Sequence, residues 1–320
     1  MRTLWILILF WLPALAQPLP EALKKAQEVP AVLNARLEAE AKAKDLARAL
    51  EDPLRTPLSE LQARQALALA EARLKRALAQ AESDIAAAYA QALEAGLQVR
   101  LAEKALAVAE LALKAAEIRV KGGGATSLDL LEAQNRVLEA RKNLEAAKGG
   151  ENAARASLEN LVGPWDPEPV PLPPLPEEGL VEQLLEEHAD LLQLRQSLEL
   201  LRFQRGLLDE SFATRKDIEA LEDQIKTLEV SLDSLERSLR VGLKARYDQL
   251  APLLEGAKAA EEAYRAAKER YAAEERRFKA GLVSQLGLRQ QELALFQAEL
   301  ALAQARHAYL KAYYGLLASR

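Results

Sequence analysis

The sequence has no cysteine, a single methionine and only two histidines among its 320 residues. Without cysteine, the chain forms no disulfide, performs no thiol chemistry and carries no lipid on a cysteine. His188 and His307 lie on different predicted helices, whereas a metal site needs three or four converging ligands. We therefore predict no metal site, and packing or surface roles for both histidines.

Aromatic residues are also scarce, at 5% of the chain, so there is little material for a thick globular core. The hydrophobic composition comes mainly from alanine and leucine, which are strong helix formers. Because no strand is predicted, Gly122-Gly123-Gly124 is a turn between helices and not a phosphate-binding loop. Carboxylates are spread along solvated faces, and no pair stands out. The sequence therefore predicts an all-α protein that is not an enzyme and holds no cofactor.

The charge balance argues against a nucleic-acid partner, because the formal net charge is −5 and no basic patch stands out. Charged residues make up 28% of the chain, with both signs interspersed. This mixture is typical of long helices with solvated faces.

Long hydrophobic runs are missing after the first segment, so no membrane-spanning helix is predicted there. The first segment has Arg2, a short apolar run at Leu4–Leu12 and the small-residue site Ala14-Leu15-Ala16. These features predict a signal peptide at residues 1–16 and hence an exported protein. The alternative is an N-terminal helix that stays buried in the fold.

An internal repeat organises the rest of the chain, because matching residues recur 158 positions apart. The matching pairs are Arg119/Arg277, Tyr89/Tyr247, Gln91/Gln249, Leu128/Leu286, Leu130/Leu288, Leu144/Leu302 and Leu158/Leu316. We predict helical repeats at 17–163 and 180–320, joined by a proline-rich linker at 164–179. Such a linker cannot be helical and favours extended conformations. We expect Trp165 to pack the linker onto a helix.

Each repeat is predicted to contain a first helix, a very long helix and a returning helix. The predicted ranges are 19–50, 58–121 and 127–161 in the first repeat, and 180–208, 215–279 and 285–318 in the second. The first long helix would span roughly 96 Å. Its apolar residues recur every seven positions, in one row from Leu78 to Val120 and another from Leu67 to Ala116. This pattern predicts a left-handed antiparallel coiled coil, and by itself it predicts nothing more.

The turns between the long and returning helices carry further information. Lys121 and Lys279 stand at helix C-termini, where positive charge is favourable. Gly123 and Gly281 suit the left-handed conformation that ends a helix. Thr126 and Ser284 suit the cap of the next helix, and Asp129 is at the third position of a capping box.

This turn pattern resembles the periplasmic tip turn of the TolC-like outer-membrane efflux family. In that turn, a basic residue and an apolar or aromatic residue precede Gly, then Ser or Thr, and then an apolar-Ala-Gln helix start. Tyr89 and Tyr247 match a tyrosine partway along the family's long helix. Glu28-Val29-Pro30-Ala31-Val32 is similar to the family's Asn-Pro-x-Leu opening, with Val in place of Asn. The resemblance covers most of the chain after residue 16.

The resemblance implies a homotrimer, in which each chain contributes two tandem coiled-coil hairpins to a hollow α-helical barrel. It implies a periplasmic and outer-membrane conduit of a tripartite efflux pump or a type I secretion system, working with an inner-membrane pump. It also implies that a periplasmic adaptor docks at the turns. The residues carried over to this docking surface are Gly123, Gly124, Ala125, Gly281, Leu282 and Val283. An ordinary helix-hairpin turn explains the same residues equally well.

The sequence departs from the family between the first and long helices, where the family inserts strands that cross the outer membrane. The gaps at 51–57 and 209–214 are too short and lack the alternating pattern. We therefore predict either a relative without these strands or a chain that stands beneath a separate outer-membrane partner. Two other classes remain open, a periplasmic coiled-coil scaffold without a transport role and an adaptor protein. The adaptor is disfavoured because adaptors carry β segments that flank their hairpin.

Overall fold

The computed structural model describes residues 18–208 and 214–320. The helices of the first half are α1 (Leu19–Lys24), α2 (Pro30–Glu51), α3 (Pro57–Lys121) and α4 (Ser127–Val162), with a 3₁₀ turn at Lys25–Glu28. Those of the second half are α5 (Leu180–Glu186), α6 (Ala189–Leu207), α7 (Arg215–Asp248), α8 (Leu250–Lys279) and α9 (Gln285–Leu317). Within the two described ranges there is no strand, and the predicted all-α class is confirmed. The predicted signal peptide and most of the break before α7 lie outside the described residues.

Helix α3 is the central element of a layer of helices. Both α2 and α4 pack on α3, and α6 and α9 pack on it from a different side. Helices α7 and α8 then cover α6 and α9, respectively. At one end of the molecule the helices therefore lie side by side in the order α4–α3–α9–α8. At the other end their order is α2–α3–α6–α7. No helix of the described residues is both long and apolar enough to cross a membrane.

Three helices that the sequence predicts to be continuous are interrupted, which corrects the predicted ranges 19–50, 180–208 and 215–279. The last is broken at Gln249, because Pro252 lacks an N–H group and its ring would clash with the carbonyl of Asp248. The first is broken at Val29, which is extended because a residue before proline avoids the helical region. The second is broken at His188, whose Nδ1 accepts a hydrogen bond from the N–H of Asp190 and caps α6.

Each half of the chain has its own hydrophobic core near the middle of the layer. The first core contains Ile85, Ala92 and Leu158, and the second contains their counterparts 158 positions later, Leu243, Leu250 and Leu316. This agreement supports the predicted internal repeat. Both predicted apolar rows of α3 face neighbouring helices, but residues 85–90 are buried almost all around. The 3₁₀ turn, α4, α9 and the linker surround α3 there, so its middle is more than a two-helix seam.

The proline-rich linker runs across the middle of the layer and is held by three tyrosine hydroxyls. The hydroxyl of Tyr89 donates to the carbonyl of Glu168 at 3.0 Å and accepts from its N–H at 2.6 Å. Tyr309 donates to the Pro173 carbonyl at 2.9 Å, and Tyr247 to the Pro176 carbonyl at 2.8 Å. Trp165 packs against the first core, as expected from the sequence. The linker thus ties α3, α9 and α7 together.

Both histidines lie in packed positions. His188 is 7% exposed, and the Nδ1 atom of His307 lies 3.5 Å from a carboxylate oxygen of Glu94. Burial lowers the pKa of both imidazoles, although Asp190 and Glu94 partly oppose this effect. No group of three or more potential metal-ligating His, Cys, Asp or Glu side chains occurs in the described part of the chain.

Acid is expected to destabilise the fold through these two histidines. Because folding lowers each pKa, the stabilisation is complete above the unfolded value near 6.5 and is lost as the pH falls through the folded value. Melting temperatures of the wild type and of the double variant His188→Asn, His307→Gln would be compared between pH 8 and pH 5. The variant should lose less stability on acidification. Equal losses in the two proteins would contradict this prediction.

Candidate docking site at the hairpin tips

Two turns of the same geometry end the two long hairpins. We define the tip turns as residues 122–126, between α3 and α4, and 280–284, between α8 and α9. In the first, the N–H of Gly124 donates to the carbonyl of Arg119 at 2.8 Å, and the N–H of Gly123 donates to that of Val120 at 3.0 Å. The second turn repeats both bonds, from Leu282 to Arg277 and from Gly281 to Phe278, at 2.9 Å each. This pair of bonds defines a Schellman motif, which satisfies carbonyls at the end of a helix.

Glycine is required at one position of each tip turn. Gly123 has φ 73° and Gly281 has φ 72°, and Gly163 is the only other residue with positive φ in the described chain. Any Cβ in this left-handed region is strained by about 1–2 kcal/mol. The expected roles of Gly123 and Gly281 as helix stops are therefore confirmed.

Replacing Gly281 with alanine should lower the free energy of unfolding by about 1 kcal/mol, because the left-handed backbone would be kept under strain. Gly149 provides a matched control, since it lies inside α4 and has open space where the methyl group of an alanine would stand. Gly149→Ala should instead raise the free energy of unfolding by about 0.5–1 kcal/mol. Urea denaturation of the two variants measures both changes. A shift of the same sign in both would contradict the assignment.

Side chains cap the helices that leave the tip turns. Thr126 Oγ1 accepts from the N–H of Asp129 at 3.2 Å, and Asp129 accepts from the N–H of Thr126 at 2.7 Å, which completes a capping box. This backbone bond, the Thr126 hydroxyl and the charge of Arg119 lower the pKa of Asp129. In the second turn, Ser284 Oγ accepts from the N–H of Gly287 at 3.1 Å. The caps fix the direction in which each returning helix leaves the turn.

The structure brings the six sequence-predicted docking residues to one end of the layer, because α3 and α9 lie side by side and run in opposite directions. They form three pairs of equivalent positions, and four of the six are exposed. The pairs are Gly123 and Gly281, Gly124 and Leu282, and Ala125 and Val283. Leu282 is the large apolar side chain among them, and 71% of its surface is exposed. Ala125 and Val283 are half-buried beneath the turns.

Further apolar side chains near the tips were not among the docking residues predicted from the sequence. Ile118, Leu128 and Leu131 are each more than half exposed, and Phe278 is 37% exposed. The signal for Leu128 and Leu131 was present in the sequence, since they fall outside the inward-facing row of α4. Together with Leu282, these residues extend the apolar surface from the turns onto the sides of the hairpins.

Basic side chains surround the apolar surface. The last turn of α3 contains Arg119 and Lys121, and that of α8 contains Arg276, Arg277 and Lys279. Arg277 and Lys279 pair with glutamates one turn earlier, at 3.1 and 3.2 Å, whereas Arg119, Lys121 and Arg276 have no ion-pair partner within residues 18–208 and 214–320. The tips therefore favour a partner with apolar and acidic side chains.

A cluster of charged residues joins the two hairpins above the tips. Glu292 of α9 is only 8% exposed, and its carboxylate lies 2.7 Å from Lys104 Nζ of α3 and also pairs with Arg289. Burial would raise the pKa of Glu292, but hydrogen bonds from Lys104 and Arg289, and their charges, lower it. Lys104 and Arg100 lie 5.2 and 5.7 Å from the Phe296 ring centroid, within reach of a cation–π interaction. The cluster holds α3 against α9 and so fixes one tip turn relative to the other.

Solved structures with the same architecture identify the fold. The chain has the fold of the TolC-like outer-membrane channels. The CmeC outer membrane channel of Campylobacter jejuni superposes with a TM-score of 0.67 at 10% identity, over 94% of this chain and 85% of that chain. The outer membrane protein VceC of Vibrio cholerae gives 0.65 at 15% identity, over 94% and 95% of the two chains.

The open state of the Neisseria gonorrhoeae MtrE outer membrane channel gives a TM-score of 0.59 at 16% identity, over 94% of this chain and 88% of that chain. Comparison of the sequence with family models and with curated proteins finds no match. The similarity to the TolC-like channels therefore lies in the three-dimensional fold. The turn and tyrosine patterns of the sequence had predicted the same fold.

Proposed function

We propose that this protein is a conduit component of a tripartite efflux pump or a type I secretion system, located in the periplasm and at the outer membrane. A periplasmic adaptor docks at its tip turns, and an inner-membrane pump supplies the exported molecule. The observation that carries the proposal is the pair of equivalent tip turns, which present exposed apolar residues at one end of a TolC-like layer. The proposal assigns the chain no catalytic role.

The layer has two open edges that suggest assembly with further copies. Within one chain, α9 packs on α3, and Phe296 of α9 contacts Arg100 and Lys104 of α3. In the other half, the residue equivalent to Phe296 is Leu138 of α4, and it is 62% exposed. The helix equivalent to residues 92–121 of α3 is α8, which forms the opposite edge of the layer.

An α4–α8 contact between neighbouring chains would therefore repeat the α9–α3 contact inside one chain. Such a contact joins two different surfaces, so it is head-to-tail and forms a ring when the rotation closes. On α8, the positions equivalent to Arg100 and Lys104 are Lys258 and Glu262, whose side chains are 62% and 70% exposed. The resemblance to TolC-like proteins sets the proposed number of copies at three.

The experiment that tests the conduit is the solution mass and envelope of residues 17–320, from light scattering combined with small-angle X-ray scattering. A mass of three chains and a particle about 100 Å long with a hollow cross-section would agree with the conduit. The coiled-coil rows of α3 also suit the second candidate, a periplasmic scaffold with no transport role. A solid rod of one or two chains would contradict the conduit and favour the scaffold.

A further inference from the structure

A cavity of about 570 Å³ lies beside the linker, where α3, α4, α8 and α9 come together. This volume is in the range of small-molecule sites, which are mostly apolar with a few polar groups. Its apolar lining comes from α3, α9 and the linker. The main contributors are Leu93, Leu97, Leu302, Leu310, Pro169 and Val170. Tyr264 of α8 adds an aromatic ring to the lining.

The walls of this linker cavity are held in place before any ligand binds. Tyr89 fixes the linker through both of its hydrogen bonds to Glu168, and Tyr309 fixes it at Pro173. Across the cavity, Arg100 of α3 pairs with Glu299 of α9 at 3.1 Å. A preformed site avoids much of the entropy loss that accompanies binding.

The charged rim has an excess of carboxylates. Arg100 is paired with Glu299, and Arg306 lies 3.2 Å from Glu261. The third arginine, Arg155, lies 3.1 Å from Glu151 and 3.9 Å from Asp166.

Glu103 also lines the cavity, is exposed, and has no ion-pair partner among the residues of 18–208 and 214–320. His307 lies at the edge of the cavity, where burial lowers its pKa and favours the neutral imidazole. The arginines are therefore already neutralised, and the potential that a ligand meets is negative.

We infer that the linker cavity binds an organic cation with an apolar body. The leucines and prolines would cover the apolar body, while Glu103 and Asp166 would face the positive charge. The ring of Tyr264 offers a cation–π contact, which is stronger in a partly desolvated site. An anion of the same shape would meet the unpaired carboxylate without gaining a free arginine. This site is separate from the tip turns.

The test uses isothermal titration calorimetry of residues 17–320 with tetraphenylphosphonium, and with tetraphenylborate as an anion of the same shape. Gly96 lines the cavity, and a Cβ placed there meets the Glu151 carboxylate at an ordinary 3.6 Å. Gly96→Leu should therefore fold and fill part of the cavity. Gly149→Leu is the matched control, since Gly149 is also inside a helix but does not line the cavity.

Tetraphenylphosphonium should bind at least about tenfold more tightly than tetraphenylborate. Gly96→Leu should weaken its binding about tenfold or more, whereas Gly149→Leu should leave it unchanged. Glu103→Gln should weaken the cation several-fold and reduce the preference over the anion. The inference is overturned if the cation does not saturate the protein, if both ions bind equally well, or if Gly96→Leu binds as the wild type does. Melting temperatures show whether each variant is folded.

Discussion

Leu282→Asp is expected to weaken adaptor binding at the tips by about 30-fold or more, the loss typical of a binding hot spot. Leu282 has 71% of its surface exposed at the second tip turn, although its backbone N–H is fixed by the carbonyl of Arg277. A carboxylate at this position would have to be desolvated in an apolar interface, which is costly without a partner. The helices should stay intact, because the side chain packs against little within its own chain.

The measurement is surface plasmon resonance with residues 17–320 immobilised. Each purified helical-hairpin adaptor protein of the source cell is tested separately. Leu54→Asp serves as the control, since Leu54 is 86% exposed in the turn between α2 and α3, at the opposite end of the layer. The control should bind adaptor as the wild type does. Docking at the tips is contradicted if no adaptor binds the wild type, or if both variants bind equally.

Leu282 is a sharper probe of docking than Gly281. Any side chain at Gly281 strains the left-handed backbone at φ 72°, so a loss of binding there would mix a local folding effect with a lost contact. Leu282 follows the left-handed Gly281, and its side chain points away from the hairpin core, as its exposure shows. A substitution at Leu282 therefore tests the surface alone.

The parts of the fold that depend on neighbouring residues were predictable from the sequence. Gly123 and Thr126 end one helix and begin the next through bonds within a few residues, and both do so as predicted. The heptad rows of α3 likewise identified residues that face other helices. Such signals are local, so the surrounding fold changes them little.

The break at Gln249 has a signal in the sequence that the prediction of a single helix overrode. Pro252 is visible in the sequence, and a proline inside a helical pattern predicts a kink at the residues before it. The range 215–279 was predicted instead from the repeat, as the counterpart of the long helix at 58–121. The break at His188 had no comparable signal, because a histidine cap depends on the side-chain rotamer and on the burial of the ring.

Contacts between distant parts of the chain were not predictable, and they matter most for the candidate site. A heptad row shows that a face of α3 is covered, but not whether α4 or α9 covers it. Glu292 looks like an ordinary surface glutamate in sequence, and its burial is compensated by Lys104, which approaches from α3, together with the nearby Arg289. The linker cavity has the same origin, since its walls come from four helices and the linker.

The tyrosines that bind the linker also connect the two halves of the chain. They hold the linker across the layer and thereby fix one wall of the linker cavity. Tyr309 contributes most to this arrangement. It is fully buried in the second core, while Leu310, the next residue of α9, belongs to the first core. Adjacent residues of one helix thus join the two halves of the chain, and Tyr309 also binds the linker between them.

Tyr309→Ala is therefore expected to lower the free energy of unfolding by about 3–5 kcal/mol, as for other large aromatic residues removed from a core. Tyr309→Phe keeps the ring and removes only the donor to the Pro173 carbonyl at 2.9 Å. It should lower the free energy of unfolding by about 1–2 kcal/mol, because the carbonyl loses its partner. Urea denaturation followed by circular dichroism measures both changes.

Tyr313→Phe is the control for this pair. The rings of Tyr313 and Tyr309 contact each other at a tilt of 40°, with centroids 6.1 Å apart, but the Tyr313 hydroxyl has no hydrogen bond within the described residues. Removing that hydroxyl should change the free energy of unfolding by less than about 0.5 kcal/mol. If Tyr309→Phe is as harmless as Tyr313→Phe, the bond to the linker does not stabilise the fold. The linker would then be held by Trp165, Val170 and Leu172 packing on the cores, and not by the tyrosine hydroxyls.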